Sequence, residues 1–185
     1  MGDPGTQAVF SLSDLEATGQ RLMGRKHVLS ILVENEPGVL ARISGLFARR
    51  GYNINTLAVG PTSDNHVSRI TMTIDGAEHP IDQVTKQLHK LVHVLKIRDL
   101  EPRETVAREL ALFKIDADAH TRSELTQLAD IFHGRVVDVA RRSVTIEVTG
   151  SDEKIEAFEA LARPFGLIEM VRTGEIAVQR GRHET

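Results

Sequence analysis

With 185 residues the chain is long enough to bury one sizeable core or two small ones. A formal net charge of −3, 41% hydrophobic residues and only 4% aromatics exclude a basic nucleic-acid footprint and a base-stacking platform. The absence of cysteine excludes disulfides, thiolate catalysis and cysteine-ligated zinc; with no apolar stretch of membrane-spanning length either, a cytoplasmic location is the expectation.

Residues 1–25 mix Gly, Ser, Thr and Asp with scattered apolar positions. They lack the basic start and apolar core of a secretory signal. Leu15, Leu22 and Met23 sketch a short helix between Ser13 and Met23, and this extension is left outside the predicted fold. The first domain is predicted over residues 26–100. Val28–Val33 is a β-branched apolar run and reads as a buried strand. Glu34-Asn35-Glu36-Pro37-Gly38 breaks it, and Val39, Leu40, Ile43, Leu46 and Phe47 then mark one face of a helix ending at Arg50, with Gly51 as its C-terminal stop. Asn55–Val59 is the second strand, Gly60–Asn65 turn chemistry, and Val67–Ile74 an alternating third strand. Pro80 opens a helix with Ile81, Val84, Leu88 and Leu91 inward, and Val92–Asp99 returns as a strand. The order is βαββαβ, a ferredoxin-like α+β unit.

Residues 101–106, polar and interrupted by Pro102, read as a linker. The same order then repeats over 107–181, before a tail at 182–185. Glu109–Ile115 is a strand; Leu125, Leu128, Ala129 and Phe132 form a helix capped by Ser123 and ended by Gly134. Arg135–Ala140 and Ser143–Thr149 pair. Ser151 caps a helix with Ile155, Phe158 and Leu161 inward, stopped by Pro164, and Leu167–Arg172 and Glu175–Val178 close the unit. Two tandem copies of one architecture support each other.

The chain carries no phosphate loop, nucleophile elbow or dinucleotide fingerprint. His89 and His93 are four apart but lack the adjacent Glu of a zinc-hydrolase helix, and the helix is expected to end near Leu91. Asp116, Asp118 and His120 alternate without a fourth ligand or EF-hand spacing, Glu34 and Glu36 have no identifiable acid–base partner, and Arg141-Arg142 reads as exposed hairpin charge. No metal and no catalytic residue is predicted.

What remains is the turn ahead of the first helix. A loop opening a helix offers unpaired N–H groups to an anion, and Gly38 has no Cβ to obstruct a carboxylate. On pattern alone the same residues also make an ordinary strand–turn–helix. Residues 34–61, ENEPGVLARISGLFARRGYNINTLAVGP, resemble the amino-acid-binding loop and first helix of an ACT domain, and more narrowly the small regulatory subunits of acetolactate synthase. Residues 86–95, KQLHKLVHVL, resemble that family too, and the similarity runs over about residues 26–181.

The resemblance implies an effector site for valine at Asn35, Gly38, Val39, Leu40, Asn53 and Ile54, with Pro37 stiffening the loop where some members carry Ser or Gly. Asn53 is expected beside the turn, with Val39, Leu40 and Ile54 offering apolar surface. It further implies a homodimer or larger homo-oligomer, effector binding between two subunits, and a separate catalytic subunit as partner. That partner would hold thiamine diphosphate, Mg2+ and FAD, none being expected in this chain. The alternatives are an ACT-type regulator of another amino-acid enzyme, an acylphosphatase-like hydrolase and an RNA-recognition module. The last two lack, respectively, an arginine-bearing phosphate loop and aromatics on the central strands.

Overall fold

The computed structural model describes residues 26–76, 80–182 and 185; the short helix expected between Ser13 and Met23 lies outside them. The first unit runs β1 (Lys26–Glu34), α1 (Val39–Arg50), β2 (Thr56–Pro61), β3 (Val67–Asp75), α2 (Ile81–Leu88) and β4 (Val94–Leu100). The second runs β5 (Thr105–Asp116), α3 (Thr121–Ile131), β6 (Arg135–Val139), β7 (Ser143–Gly150), α4 (Asp152–Ala162), β8 (Leu167–Arg172) and β9 (Ile176–Gln179). The antiparallel sheets have matching orders, β2-β3-β1-β4 and β6-β7-β5-β8. This is the doubled ferredoxin-like α+β architecture.

Period-two alternation puts Leu29, Ile31 and Val33 of β1 and Ile70, Met72 and Ile74 of β3 on one face, where α1 and α2 cover them with Ile43, Phe47, Val84 and Leu88. In the second unit Phe113 on β5, Phe158 on α4 and Phe132 interlock, with ring centroids 4.7 and 5.4 Å apart. α1 has the boundaries its sequence implies: Gly38 (φ 87°) precedes it, Gly51 (φ 69°) follows it, and Arg49 and Arg50 sit at its negative pole.

Several elements depart from expectation. α2 stops at Leu88 and β4 starts at Val94, leaving Val92 86% exposed in the connecting turn. β2 extends through Pro61, tolerated because β2 is an edge strand. Ser123 does not cap α3. Asp118 does the equivalent work, accepting the N–H groups of His120 and Thr121 at 2.8 Å and the Thr121 hydroxyl at 3.0 Å. Those bonds, led by the ones from Thr121, hold its carboxyl below the usual carboxylate range.

The largest departure is β5. It begins at Thr105, inside the segment expected as linker, and runs 12 residues. Thr105–Arg108 pair with β9, while Glu109–Asp116 enter the second sheet. The β5/β9 ribbon lies against the face of the first sheet that its own helices leave open. There Ala107 and Ala177 pack on Val28 and Leu100. Ser30, Thr71 and Thr73 are correspondingly buried although no apolar pattern marks them.

Charged groups reinforce this seam. Lys26 Nζ lies 2.7 Å from Asp152 Oδ2 and 3.4 Å from Glu175 Oε2. Arg172 bridges Asp152 at 2.5 Å and the buried Glu109, through both carboxylate oxygens of the latter. Burial alone would raise the Asp152 carboxyl, but hydrogen bonds from Lys26 and Arg172 outweigh it and hold it below its ordinary range. Gly174 (φ 78°) donates its N–H to Glu109 Oε1 at 3.2 Å and lies against Thr56 and Leu57 at the start of β2.

Candidate functional site

The turn between β1 and α1 is held from three sides. The Glu34 N–H donates to the His93 carbonyl (3.0 Å), the Asn35 N–H to the His66 carbonyl (2.8 Å), and Asn35 Nδ2 to the Asn65 carbonyl (2.9 Å). The Asn35 amide N–H groups are therefore turned toward the β2–β3 loop. Pro37 brings no N–H of its own. Gly38 adopts the left-handed region, which a residue with Cβ enters only at a cost of about 1–2 kcal/mol. With the chain bent this way, Arg42 N–H bonds the Gly38 carbonyl, while Gly38, Leu40 and Ala41 N–H have no main-chain acceptor among the described residues. Val39 N–H makes only a 3.4 Å bond to Glu36. The open N–H groups at the positive end of a 12-residue helix form a cradle for a carboxylate. Apart from Gly38 and its two chain neighbours, no heavy atom stands within 4 Å of where a Gly38 Cβ would lie, so that side is open.

The side chains divide differently from the sequence reading. Val39 is 5% exposed and packs in the first core, so it can offer a ligand its main chain but no apolar surface. Ile54 is half-buried against the same core. Leu40 is 39% exposed and is the apolar group free beside the turn. Asn53 is exposed; its Nδ2 donates to Asn55 Oδ1 (2.9 Å), which leaves its own amide oxygen as an acceptor.

Asn53 does not lie beside the turn within one chain. β1 and β2 both run antiparallel to β3. Glu34, at the end of β1, pairs with Val67 at one end of β3; Thr56, at the start of β2, pairs with Thr73 at the other. The 12 residues of α1 span that gap, about 18 Å at 1.5 Å per residue. Asn35–Leu40 and Asn53–Ile54 therefore occupy opposite ends of one sheet.

Glu34 and Glu36 do have an imidazole partner. His93 Nδ1 donates to Glu34 Oε2 at 2.5 Å and stands 3.9 Å from Glu36 Oε2. The three donor atoms lie within 4.8 Å of one another and could in principle meet a divalent ion, although both carboxylates are largely solvated and the imidazole N–H is already satisfied. Sequence reading missed this contact because it joins residues 59 apart through the exposed turn before β4. It also missed the Gly174 contact, which places the β8–β9 turn directly against Thr56 and Leu57. The second unit has no counterpart of the Pro-Gly cradle, since Asp118 fills the equivalent turn with its own carboxylate.

Comparison with known proteins matches the two units to separate families. An ACT-domain family of acetohydroxyacid synthase small subunits matches residues 29–96, and a family described as the small subunit of acetolactate synthase matches residues 108–181. The acetolactate synthase small subunit of Mycolicibacterium smegmatis is 48% identical over 155 residues, 84% of this chain and 91% of its own. A probable acetolactate synthase small subunit of Methanothermobacter thermautotrophicus is 49% identical over 156 residues, 84% and 93% of the two chains. The crystal structure of the acetolactate synthase small subunit from Thermotoga maritima superposes with a TM-score of 0.79 at 39% identity, covering 86% of this chain and 99% of that one.

Proposed function

The chain belongs to the acetolactate synthase small-subunit family, and from that premise we propose that it binds a separate catalytic subunit, raises its activity and makes it sensitive to feedback inhibition by valine. The chemistry of condensing 2-oxo acids, with thiamine diphosphate, Mg2+ and FAD, resides in the partner; this chain is its non-catalytic, cytoplasmic regulator. No helix among the described residues is long and apolar enough to cross a membrane.

The observation that carries the reading is the separation of the two half-sites. An amino acid needs donors for its carboxylate, acceptors for its ammonium and an apolar wall for its side chain. The Gly38 cradle supplies the first, the Asn53 amide oxygen the second, and Leu40 with the exposed part of Ile54 the third. One chain cannot bring them together across about 18 Å. Two can. β2 is an edge strand with one side unpaired among the described residues. Antiparallel pairing of β2 with its copy sets the start of each strand against the end of the other, so that Asn53 of one protomer faces the Gly38 turn of its partner.

Valine acts by favouring one arrangement of the assembly, a coupling of about 1–3 kcal/mol, or about 5- to 150-fold in affinity. An aliphatic wall distinguishes ligands one methylene apart by a similar amount, so leucine and isoleucine act as weaker effectors. The test is activity of the catalytic subunit alone and with the chain added, each over a valine titration. Activation together with new valine sensitivity is expected; activation without it would remove the effector assignment, and neither would remove the whole reading.

A further inference from the structure

A groove of about 550 Å³ runs between the first sheet and the β5/β9 ribbon, on the side of the sheet away from α1 and α2. One wall is Ala58 and Gly60 of β2 with Arg69 of β3. The other is the outward face of the ribbon, where the cross-strand pairs Val106–Val178 and Arg108–Ile176 lie side by side. Ile176 and Val178 remain 60% and 51% exposed, although Ala177 between them is buried against Val28 and Leu100. Two apolar side chains on a short strand are thus held in solvent by a neighbour that fixes the strand's face.

Two arginines line this groove, and only Arg108 has a neutral partner alone. Arg69 donates to Ser30 Oγ at 3.2 Å and to a main-chain oxygen of Thr185, the final residue of the sequence, at 3.3 Å, whereas Arg108 donates to the Ala107 carbonyl at 2.7 Å. Among the described residues neither has a carboxylate side chain within salt-bridge distance, whereas Arg135, Arg163 and Arg172 do. A guanidinium remains charged at every relevant pH and matches a carboxylate in a fork. Among the described residues β9 pairs with no strand but β5, and with the Gln179 N–H taken by Thr185 Oγ1 it is the edge along Ile176–Val178 that can accept an added strand.

We propose that this groove is the docking surface for an extended segment of the catalytic subunit carrying aliphatic side chains and at least one carboxylate. The inference rests on the regulatory reading above and deepens it by naming the surface and the chemistry of its partner. The segment lays its aliphatic groups on Val106, Ile176 and Val178, and its carboxylate against Arg108. The groove is lined in part by Ala58 and Gly60 of β2, the strand whose pairing with its copy would complete the effector site. Effector binding and partner binding therefore act on one strand.

The test uses the full chain with Arg108→Glu and, separately, Val178→Glu, both at exposed positions, after circular dichroism has verified folding. Three quantities are measured: affinity for the catalytic subunit, valine affinity of the isolated chain by calorimetry, and oligomeric state by sedimentation. Each variant is expected to lose at least tenfold in affinity for the catalytic subunit, with valine affinity and oligomeric state unchanged. Unaltered affinity for the catalytic subunit in both variants overturns the proposal. A changed oligomeric state overturns it in favour of a second copy as occupant, and altered valine affinity with intact partner binding overturns it in favour of a small carboxylate. If the unsubstituted chain does not bind the catalytic subunit, the regulatory reading falls first and the proposal with it.

Discussion

A site built from two chains makes a quantitative prediction that a site within one chain cannot. Consider Gly38→Asp and Asn53→Ala. The first sets a carboxylate beside the ligand's own; two like charges about 4 Å apart at an effective dielectric near 20 repel by about 4 kcal/mol, and solvent exposure at the turn reduces this to about 2–3 kcal/mol, or about 30- to 150-fold in valine affinity. The second removes a hydrogen bond to the ammonium group, about 1.5–3 kcal/mol. Each homodimer then has two damaged sites and binds valine poorly. In a heterodimer of the two variants, one site carries both lesions and the other none. Random reassociation of an equimolar mixture makes about half of the dimers mixed, so about one quarter of all sites recover full affinity. Calorimetry of the mixture should show that fraction as a distinct tight class, and Gly38→Asn, neutral and tolerant of the left-handed region, should retain much more affinity than Gly38→Asp. A mixture with no tight class would refute the two-chain site, because lesions within one chain cannot complement.

The seam between the units yields further expectations. Glu109→Ala leaves Arg172 facing a partly buried gap and Gly174 N–H without its acceptor, and should cost about 3–5 kcal/mol in thermal or denaturant unfolding. Gly174→Ala forces Cβ into the left-handed region and within 3.3 Å of Thr56 Cβ, and should cost about 1–2 kcal/mol, lowering Tm by several degrees. The Asp152 carboxyl is depressed in the folded state, so its contribution is complete above the ordinary carboxylate value and is lost as pH falls through the lower, folded one. Melting temperature should therefore drop below about pH 4, and Asp152→Asn should be less stable near neutrality but show a shallower acid loss. Lys26 is displaced in the opposite sense: burial would lower its ammonium, but the hydrogen bond to Asp152 outweighs it, so its contribution is present below its ordinary value and lost only as strongly alkaline pH passes the raised one.

Local punctuation explains what could be read from the chain alone. Pro37-Gly38 and Gly51 bracket α1, and its apolar period identifies the buried Ile43 and Phe47, so the helix follows from its own residues. Val39 is the instructive exception. It lies on the same apolar face, yet a helix's first turn can point either at the core or at a ligand, and only the packing of β1 and β3 decides that it points inward. Asn53 precedes the second strand as expected but lies at the other end of the sheet from the turn, because distance depends on which strands pair and not on their order along the chain. β5 was misread because Pro102 and the charged residues around it resemble a linker, whereas Thr105–Arg108 are ordered by β9, some 70 residues away. The Lys26–Asp152 contact spans 126 positions and has no local signature at all.

The shared use of β5 limits how the molecule can be dissected or can move. A cut after Leu100 would seem to free a complete four-stranded unit, but it would strip Ala107 and Ala177 from Val28 and Leu100 and wet the polar side chains of Ser30, Thr71 and Thr73. The same strand is a stiff lever between the two halves: its first four residues are clamped by β9 over one sheet and its last eight are woven into the other. The short 3-10 turn at Pro102–Glu104, just ahead of that lever, is where bending disturbs the fewest ladder bonds, and a hinge there would swing the whole second sheet together with the ribbon it carries.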